Sequence, residues 1–591
     1  MAESAPGELG PGPCPTAWRR FWPLALVLAV TGLLYWSTCA RFLVGSGDSG
    51  DFIAAAACNG IPHPSGYPLY IALTWPLLQA ETQLMPAFVL NLFSALCGLL
   101  AVLVLAELVR RLTGSGLAAA GAALLFATGT PFWLQAVRAE VYALHVLLVM
   151  LALGGMLGML RSARPRWWQL AGLALCLGLG NHLTIITLTP ALLYALWQRW
   201  PGWRQAVLIA AAGLLLLATL YGGMLLRAQA DPAINWCDPS SFTRLYEVLT
   251  LKIYGTLRTG DWDFGVKLWA LATGAHGQFG AAGLLLIALG AGAAWRERRR
   301  EALLLMLAVL VPLAAVLLAF SQRDPATLTH AIANHFLMVY AALAVLLGLG
   351  IELAARVNHH YQRIAAAVAL CGLVVMQGHR SWRSCDLAEY QDVMVYAYNI
   401  LRQAPPNAVI VTHSDMTGFP LDYFQVAEQV RPDVTVVNDA LLGYDWYYPR
   451  AGLTAPAGPT PQAKRSAAVA ELLRREVGGR GVYVCEGMPD ELFTGYERQL
   501  QGLLFKVVPA GDSEAEPGRV LTLVDDLIIP DALWRTPPAA ELEPAVIRGN
   551  LAVALRHGAD CALQRGGQQR AEQYLTYAAM LEESLAGADD Q

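Results

Sequence analysis

Charge is scarce in this chain. Of its 591 residues, 15% are Asp, Glu, Lys or Arg against 56% that are hydrophobic, and the mean hydropathy is +0.43. That is too apolar for a soluble protein of this length, so the chain reads as a membrane protein. The formal net charge is only -4 and no long basic block occurs, which leaves nucleic acid without support as a partner. The ten cysteines are scattered and include no Cys-x-x-Cys pair, which argues against a zinc or redox motif. Most read as small residues of a membrane core; Cys385, Cys485 and Cys561 are the three that a tail domain could bring together. No Gly-x-Gly-x-x-Gly or Walker pattern follows any strand candidate, so a nucleotide site has no support either. No internal repeat is visible.

What the chain does have is long apolar runs. Residues 1–20 begin with a Gly- and Pro-rich stretch that reads as a disordered cytoplasmic N-terminus. Trp18-Arg19-Arg20 then precedes a run at 21–40, about the ~20 residues a span needs, which reads as an uncleaved signal anchor. Further runs lie at 86–109, 117–133, 141–160, 167–180, 183–197, 206–226, 279–295, 302–320, 336–355 and 364–377, about eleven spans in all. The segment 167–197 is too long for one span and short for two. Arg161, Arg164 and Arg166 before it and Arg199 and Arg204 after it ask for the same side, so two short spans turning at Asn181-His182 are expected. The same rule puts the N-terminus inside and everything after Gln377 outside. Asp48, Asp51, His63, Arg138, Glu140, His182 and Arg323 then share the outer side. The expected fold is an α-helical polytopic membrane domain at 21–378, with a first outer loop at 41–85, an extracytoplasmic α/β domain at 379–540 and a helical tail at 541–591.

In the α/β region, 407–411 reads as a short buried strand, 417–429 as a helix and 434–437 as a second strand, which makes a βαβ unit. Strands are also expected at 481–485 and 503–508, and helix over 541–586. With no nucleotide motif and no cluster of carboxylates, this domain is expected to cover the site or recognise the acceptor without supplying catalytic groups. Residues 412–415, at a strand end, read more as a loop cap than as a ligand site.

The densest chemistry lies in the first outer loop. Gly47-Asp48-Ser49-Gly50-Asp51-Phe52 places two carboxylates at a membrane surface, three residues apart, and Pro62-His63-Pro64-Ser65-Gly66-Tyr67-Pro68 follows. A carboxylate there is costly without a partner or a task. One reading has Asp48 or Ser49 capping a short helix through Ala57, with Asp51 complementing its dipole. The other makes the pair reactive, with Gly47 and Gly50 opening the backbone to a ligand. Residues 49–59 and 67–79 are too short and Pro-broken to cross, and read as helices lying at the outer interface. The loop 227–276, with Trp236 among its aromatics, has the same interfacial character.

These motifs, together with the Ala139-Glu140-Val141-Tyr142 step and Asn181-His182, resemble the family of the transmembrane O-mannosyltransferase of the animal secretory pathway and its bacterial relatives. The resemblance is clearest over 21–200 and extends to 407–438. It implies a GT-C class glycosyltransferase, a multi-span enzyme that takes a sugar from a polyprenyl-phosphate carrier outside the cytoplasm, in a cell (inner) membrane or, in a eukaryote, the ER membrane. In that class an acidic residue of the first outer loop faces donor and acceptor; here that is Asp48 or Asp51.

Inverting transfer needs a carboxylate to take the acceptor's proton and groups to hold the departing lipid phosphate. Asp48 and Asp51 are the catalytic candidates. His63, Tyr67, Arg138, Glu140, His182 and Arg323 are the substrate-binding candidates, each with a bland counterpart as loop brace, cap or local ion pair. The partners implied are a lipid-phosphate sugar donor and a protein or glycan acceptor. A divalent metal between the two aspartates has no third ligand to support it. Two other classes remain open: a lipid-linked-sugar flippase or transporter, which would place polar residues at mid-span, and a sensor using the outer domain to bind a ligand.

Overall fold

A computed structural model describes residues 15–45, 47–80, 83–255, 264–319, 332–356, 360–454, 458–485, 487–512, 516–537 and 543–589. Arg323 and parts of the 227–276 loop fall outside these residues.

The membrane part is a bundle of long apolar helices. It opens with α1 (Pro15–Thr38), α2 (Ser49–Ala57), α3 (Pro68–Gln79) and α4 (Pro86–Thr113). Then come α5 (Gly116–Ala127), α6 (Thr130–Ala136), α7 (Tyr142–Arg161), α8 (Pro165–Asn181), α9 (Thr189–Gln198) and α10 (Trp203–Gln229). Helices Phe264–Glu297, Arg299–Ala319, Leu337–Ala354 and His360–Cys385 complete it, the last running past the expected boundary at 378.

Among the described residues, eight helices are long and apolar enough to cross a membrane, or nine if one bent pair counts as a span, against the eleven expected. The difference has local causes. The expected span 117–133 is α5 and α6, which meet at 73°. Gly129-Thr130-Pro131 starts a new helix there, and Pro131 supplies no N–H to continue the old one. Polar side chains take up the backbone groups that the break frees: Gln278 Nε2 donates to Phe126 O at 2.8 Å, Gln278 Oε1 accepts from Phe132 N–H at 3.0 Å, and Gln377 Nε2 donates to Leu125 O at 2.7 Å. A lipid environment requires that. The expected pair at 167–197 is α8, of 17 residues, and an apolar helical stretch Leu183–Gln198 that begins as a 3₁₀ turn; the chain breaks at His182, as expected.

Arginines gather at one end of the bundle. Arg161 donates to Arg111 O at 2.7 Å and pairs with Glu301 at 3.2 Å, and Arg356 pairs with Glu297 at 2.6 Å. The four turns that follow the expected spans 86–109, 141–160, 279–295 and 336–355 therefore meet. At the opposite end α1 and the last long helix finish together, where Leu387 N–H donates to Thr38 O at 3.1 Å.

Past Cys385 the chain forms a five-stranded sheet in the order β2-β1-β3-β5-β4. β1 (Val409–Thr412) pairs in parallel with β2 (Thr435–Asn438) and β3 (Val482–Val484), while β5 (Leu504–Pro509) runs antiparallel to β3 and to β4 (Tyr496–Gln501). The βαβ unit is present, its helix Asp415–Asp422 continuing into a π turn at Tyr423–Ala427. The helical tail is two helices, Glu543–Gln564 and Gln568–Asp589. It is anchored by a buried ion pair from Arg548 to Asp392 at 2.6 Å. Among the described residues no disulfide joins Cys385, Cys485 and Cys561.

α2 departs from its expected interfacial place. Every residue from Ser49 to Ala56 is buried, because the helix Asp415–Asp422 and the π turn of the tail domain pack over it. A Cβ on Gly50 would lie 2.7 Å from the Phe419 backbone, so this contact depends on glycine. The sheet domain is thereby seated on the first loop.

Candidate active site

The site is assembled at the end of the bundle that carries the tail domain. Gly47, with φ 135°, turns the chain into α2, a backbone region that suits glycine; a side chain there would strike the Glu140 carboxylate. Asp48 holds the N-cap position of α2, yet its side chain makes no capping bond. Ser49 Oγ is buried without a hydrogen-bond partner among the described residues. The capping reading therefore fails for both. Asp48 is fixed through its backbone instead: its N–H donates to Glu140 Oε1 at 3.0 Å and its carbonyl accepts from Phe52 N–H at 3.0 Å. The carboxylate stays 38% exposed, 3.4 Å from His63 Nε2.

Asp51 is its opposite. It is fully buried, and both oxygens are committed: Oδ2 to the backbone N–H of His63 at 2.9 Å and to its ring Nδ1 at 2.8 Å, Oδ1 to Trp236 Nε1 at 3.1 Å. His63 Nε2 also lies 3.1 Å from the Tyr67 hydroxyl, and the ring is enclosed by Phe52, Trp236 and Phe419. Burial opposes a charged imidazole, but Asp48 and Asp51 outweigh it and push the His63 pKa up to about 9. His63 is thus an imidazolium held between two carboxylates.

Glu140 stands behind Asp48. It is 2% exposed, and burial together with the Asp48 charge pushes it up to about 8, against the pull of Arg138. Its Oε2 has no hydrogen-bond partner among the described residues. Its position is that of a brace for the Asp48 backbone rather than a group on open space. Arg138 is also 2% exposed and acts on Glu140.

His182 caps the 3₁₀ turn, with its Nδ1 2.7 Å from Thr184 Oγ1. Its ring also lies against Tyr67 at 6.1 Å, Tyr142 at 5.5 Å, His145 at 5.0 Å and His335 at 5.4 Å. Tyr67 therefore links the first loop to a patch of three histidines. The structure brings Asp48, Asp51, His63, Tyr67, Glu140 and His182 into one neighbourhood, with Arg138 beside Glu140.

Several members were not legible in advance. Trp236 read as an interfacial aromatic, His145 lay inside the expected span 141–160, and His335 stood just before the one at 336–355. From the tail come Phe419, stacked 6.4 Å from His63, and two carboxylates. Asp415 is exposed and feels the charges of Asp48, His63 and Asp51. Asp422 is pushed up to about 7 by burial and by Asp51. The tail, expected to cover the site without supplying catalytic groups, thus brings two carboxylates into this neighbourhood. Among the described residues, no group of three or more His, Cys, Asp or Glu side chains is arranged to hold a metal ion.

A bundle of this arrangement, with a carboxylate-bearing loop after the first helix and a small sheet domain seated over it, has the fold of the GT-C class of membrane glycosyltransferases. ArnT from Cupriavidus metallidurans, in a structure bound to undecaprenyl phosphate, matches it with a TM-score of 0.51 at 15% identity, over 85% of this chain and 100% of that one. Within that fold, residues 48–202 match the family model described as the protein O-mannosyl-transferase TMEM260 N-terminal domain, and residues 393–455 match TMEM260-associated domain 2. The chain is 26% identical over 462 residues to protein O-mannosyl-transferase TMEM260 of Mus musculus, covering 73% of this chain and 64% of that protein. It is 20% identical over 457 residues to the protein of the same name from Dictyostelium discoideum, covering 68% and 55%. These matches bear out the resemblance read from the first-loop motifs. The chain spans less than two thirds of the length of these curated relatives.

Proposed function

We propose that this chain is a membrane glycosyltransferase that moves a sugar, mannose by likeness to its relatives, from a polyprenyl-phosphate carrier to a hydroxyl of a polypeptide on the extracytoplasmic side. The observation that carries this is the contrast within the first loop: Asp51 is buried with both oxygens occupied, while Asp48 three residues away keeps an open carboxylate on a fixed backbone.

In the reaction, the acceptor oxygen attacks the anomeric carbon as its proton passes to Asp48. The bond from that carbon to the phosphate oxygen breaks with inversion, and the lipid phosphate leaves with the electron pair. His63 holds the Asp48 carboxylate in place electrostatically, and Asp51 and Trp236 hold the His63 loop. Arg138 and the His182 patch supply positive or hydrogen-bonding groups for the phosphate. The matching relatives, named as protein O-mannosyl-transferases, support the choice of sugar and acceptor. The arginine-rich end of the bundle is assigned to the cytoplasm, in keeping with the positive-inside rule. A transport reading gains little, because buried mid-helix Gln278 and Gln377 are taken up by the α5–α6 break.

The test is donor use by the full-length chain in lipid nanodiscs with host membrane proteins as acceptor. Tritiated mannose should pass to protein from polyprenyl-phosphate mannose and not from GDP-mannose. Labelling from the nucleotide sugar, or from neither donor, would overturn the reading.

A further inference from the structure

A cavity of about 460 Å³ lies beside the Asp48 site, between the sheet domain and the loop that carries Trp236. The loop is fastened to both neighbours. Ile61 N–H donates to Ile234 O at 2.8 Å and Trp236 N–H to Ile61 O at 3.0 Å, while Arg450 donates to the carbonyls of Pro232 and Ala233. Trp236 is the shared wall. Its Nε1 is on Asp51, and its ring lies 5.7 Å from Trp446 and 6.0 Å from Phe419.

The cavity runs along the free edge of β2. Val434, Thr435 and Val436 all line it, and consecutive side chains point to opposite faces of a sheet, so the space must follow the edge. Thr435 N–H donates inward to Ala408 O at 2.9 Å, and the parallel register then turns the N–H and C=O of Val436 outward. The neighbouring outward groups are occupied: Val434 O accepts from Gln425 Nε2 at 2.7 Å, and Asn438 N–H donates to the Tyr447 hydroxyl at 2.8 Å. Among the described residues the Val436 pair has no partner. Two further polar atoms on the cavity wall, Thr412 Oγ1 and Trp446 Nε1, are buried and lack a hydrogen-bond partner among the described residues. Buried polar groups of this kind ordinarily find one.

We infer that this cavity seats an extended segment of the acceptor polypeptide, which pairs with the Val436 backbone on the open edge of β2 and rests its side chains against Trp446, leading its hydroxyl residue past Trp236 to Asp48. An unpaired strand edge with pockets for alternate side chains is how peptides add to sheets, and Trp, Tyr and Arg are the residue types that anchor protein partners. A saccharide could stack on the indoles but would have no use for a backbone donor and acceptor at strand spacing. The inference rests on the proposed transfer reaction for the identity of its ligand.

The probe is a fluorescein-tagged peptide alternating Thr and Val between terminal lysines, titrated onto the detergent-solubilised full-length chain. Val436→Pro removes the outward N–H, and the edge position tolerates proline; it should weaken binding at least ~10-fold, as expected for loss of strand pairing. Val436→Ala keeps the backbone and should bind as wild type does. If Val436→Pro no longer unfolds cooperatively, Thr412→Val and Trp446→Leu carry the test, each weakening the probe several-fold. No binding by wild type, equal binding by Val436→Pro, or displacement by maltopentaose in place of unlabelled peptide would overturn the inference. Asp48→Asn should bind the probe normally. Peptide binding without any sugar transfer would defeat the transferase reading and leave this site standing; transfer that ignores Val436→Pro would defeat the site alone.

Discussion

Asp51 in the first loop and Asp439 in the sheet domain are both fully buried, and each lies against a histidine: Asp51 at 2.8 Å from His63, Asp439 at 2.9 Å from His413. Their surroundings differ in charge balance. Asp439 also receives Arg465, through Nε at 3.2 Å and through Nη2, so one carboxylate meets a permanent cation. In the first loop one histidine serves two carboxylates, and among the described residues no Lys or Arg forms an ion pair with either. The tail cluster is closed and reads as a brace. The first-loop cluster keeps a carboxylate over at the surface, and that carboxylate is the proposed base.

Changes at the two clusters should therefore differ in kind. The largest loss of stability is expected for Arg465→Leu, which leaves Asp439 buried with only a titratable partner. It should cost about 3–5 kcal/mol in urea unfolding of the full chain, and a cost below about 1 kcal/mol would remove the distinction between brace and open site.

His63 sharpens the contrast through pH. Its folded pKa, about 9, is raised above the unfolded value near 6.5, so its contribution is fully present below about 6.5 and disappears as pH rises through 9. The wild type should lose on the order of 3 kcal/mol between pH 7 and pH 10 that His63→Gln does not lose, measured as parallel thermal melts. Identical pH profiles would show that the imidazolium is not held as described.

Gly50→Ala drives a Cβ into the Phe419 backbone and should cost about 1–3 kcal/mol. Protease cleavage between the last long helix and the sheet should accelerate with it; unchanged cleavage would mean the tail is not seated on α2.

The smallest effect is expected at Asp422. Its pKa is pushed up to about 7 by burial and by Asp51, so the stability it contributes is present below about 4 and is lost as pH rises through 7. Asp422 is partly exposed, so solvent screens most of that shift; Asp422→Asn should gain on the order of 1 kcal/mol over wild type at pH 8, and less as pH falls towards 4.

The helices were legible because lipid demands long apolar runs, and the βαβ unit because its strands are continuous apolar residues. β4 was missed: its Glu497, Arg498 and Gln499 give an exposed edge strand no hydrophobic signal. The α5–α6 break was read as one span because Gly129 and Pro131 sit inside an apolar run, and the glutamines that make the break tolerable lie about 150 and 250 residues away in sequence. At the site, Asp48, Asp51, His63 and Tyr67 were visible as neighbours within one motif. Trp236, Phe419 and Asp422 were not, because only the folding of the tail over α2 brings them there. That the tail lends carboxylates and aromatics to the site could not be read from a region lacking any motif of its own.

The most direct measurement is the transfer rate of Asp48→Asn from polyprenyl-phosphate mannose, taken together with its thermal melt. Asn keeps the size of Asp, and no capping bond is lost. A melt within about 1 kcal/mol of wild type is expected, with a loss of transfer on the order of 10²–10⁴-fold, the usual worth of a positioned base. Full transfer by a normally folded Asp48→Asn protein would contradict it.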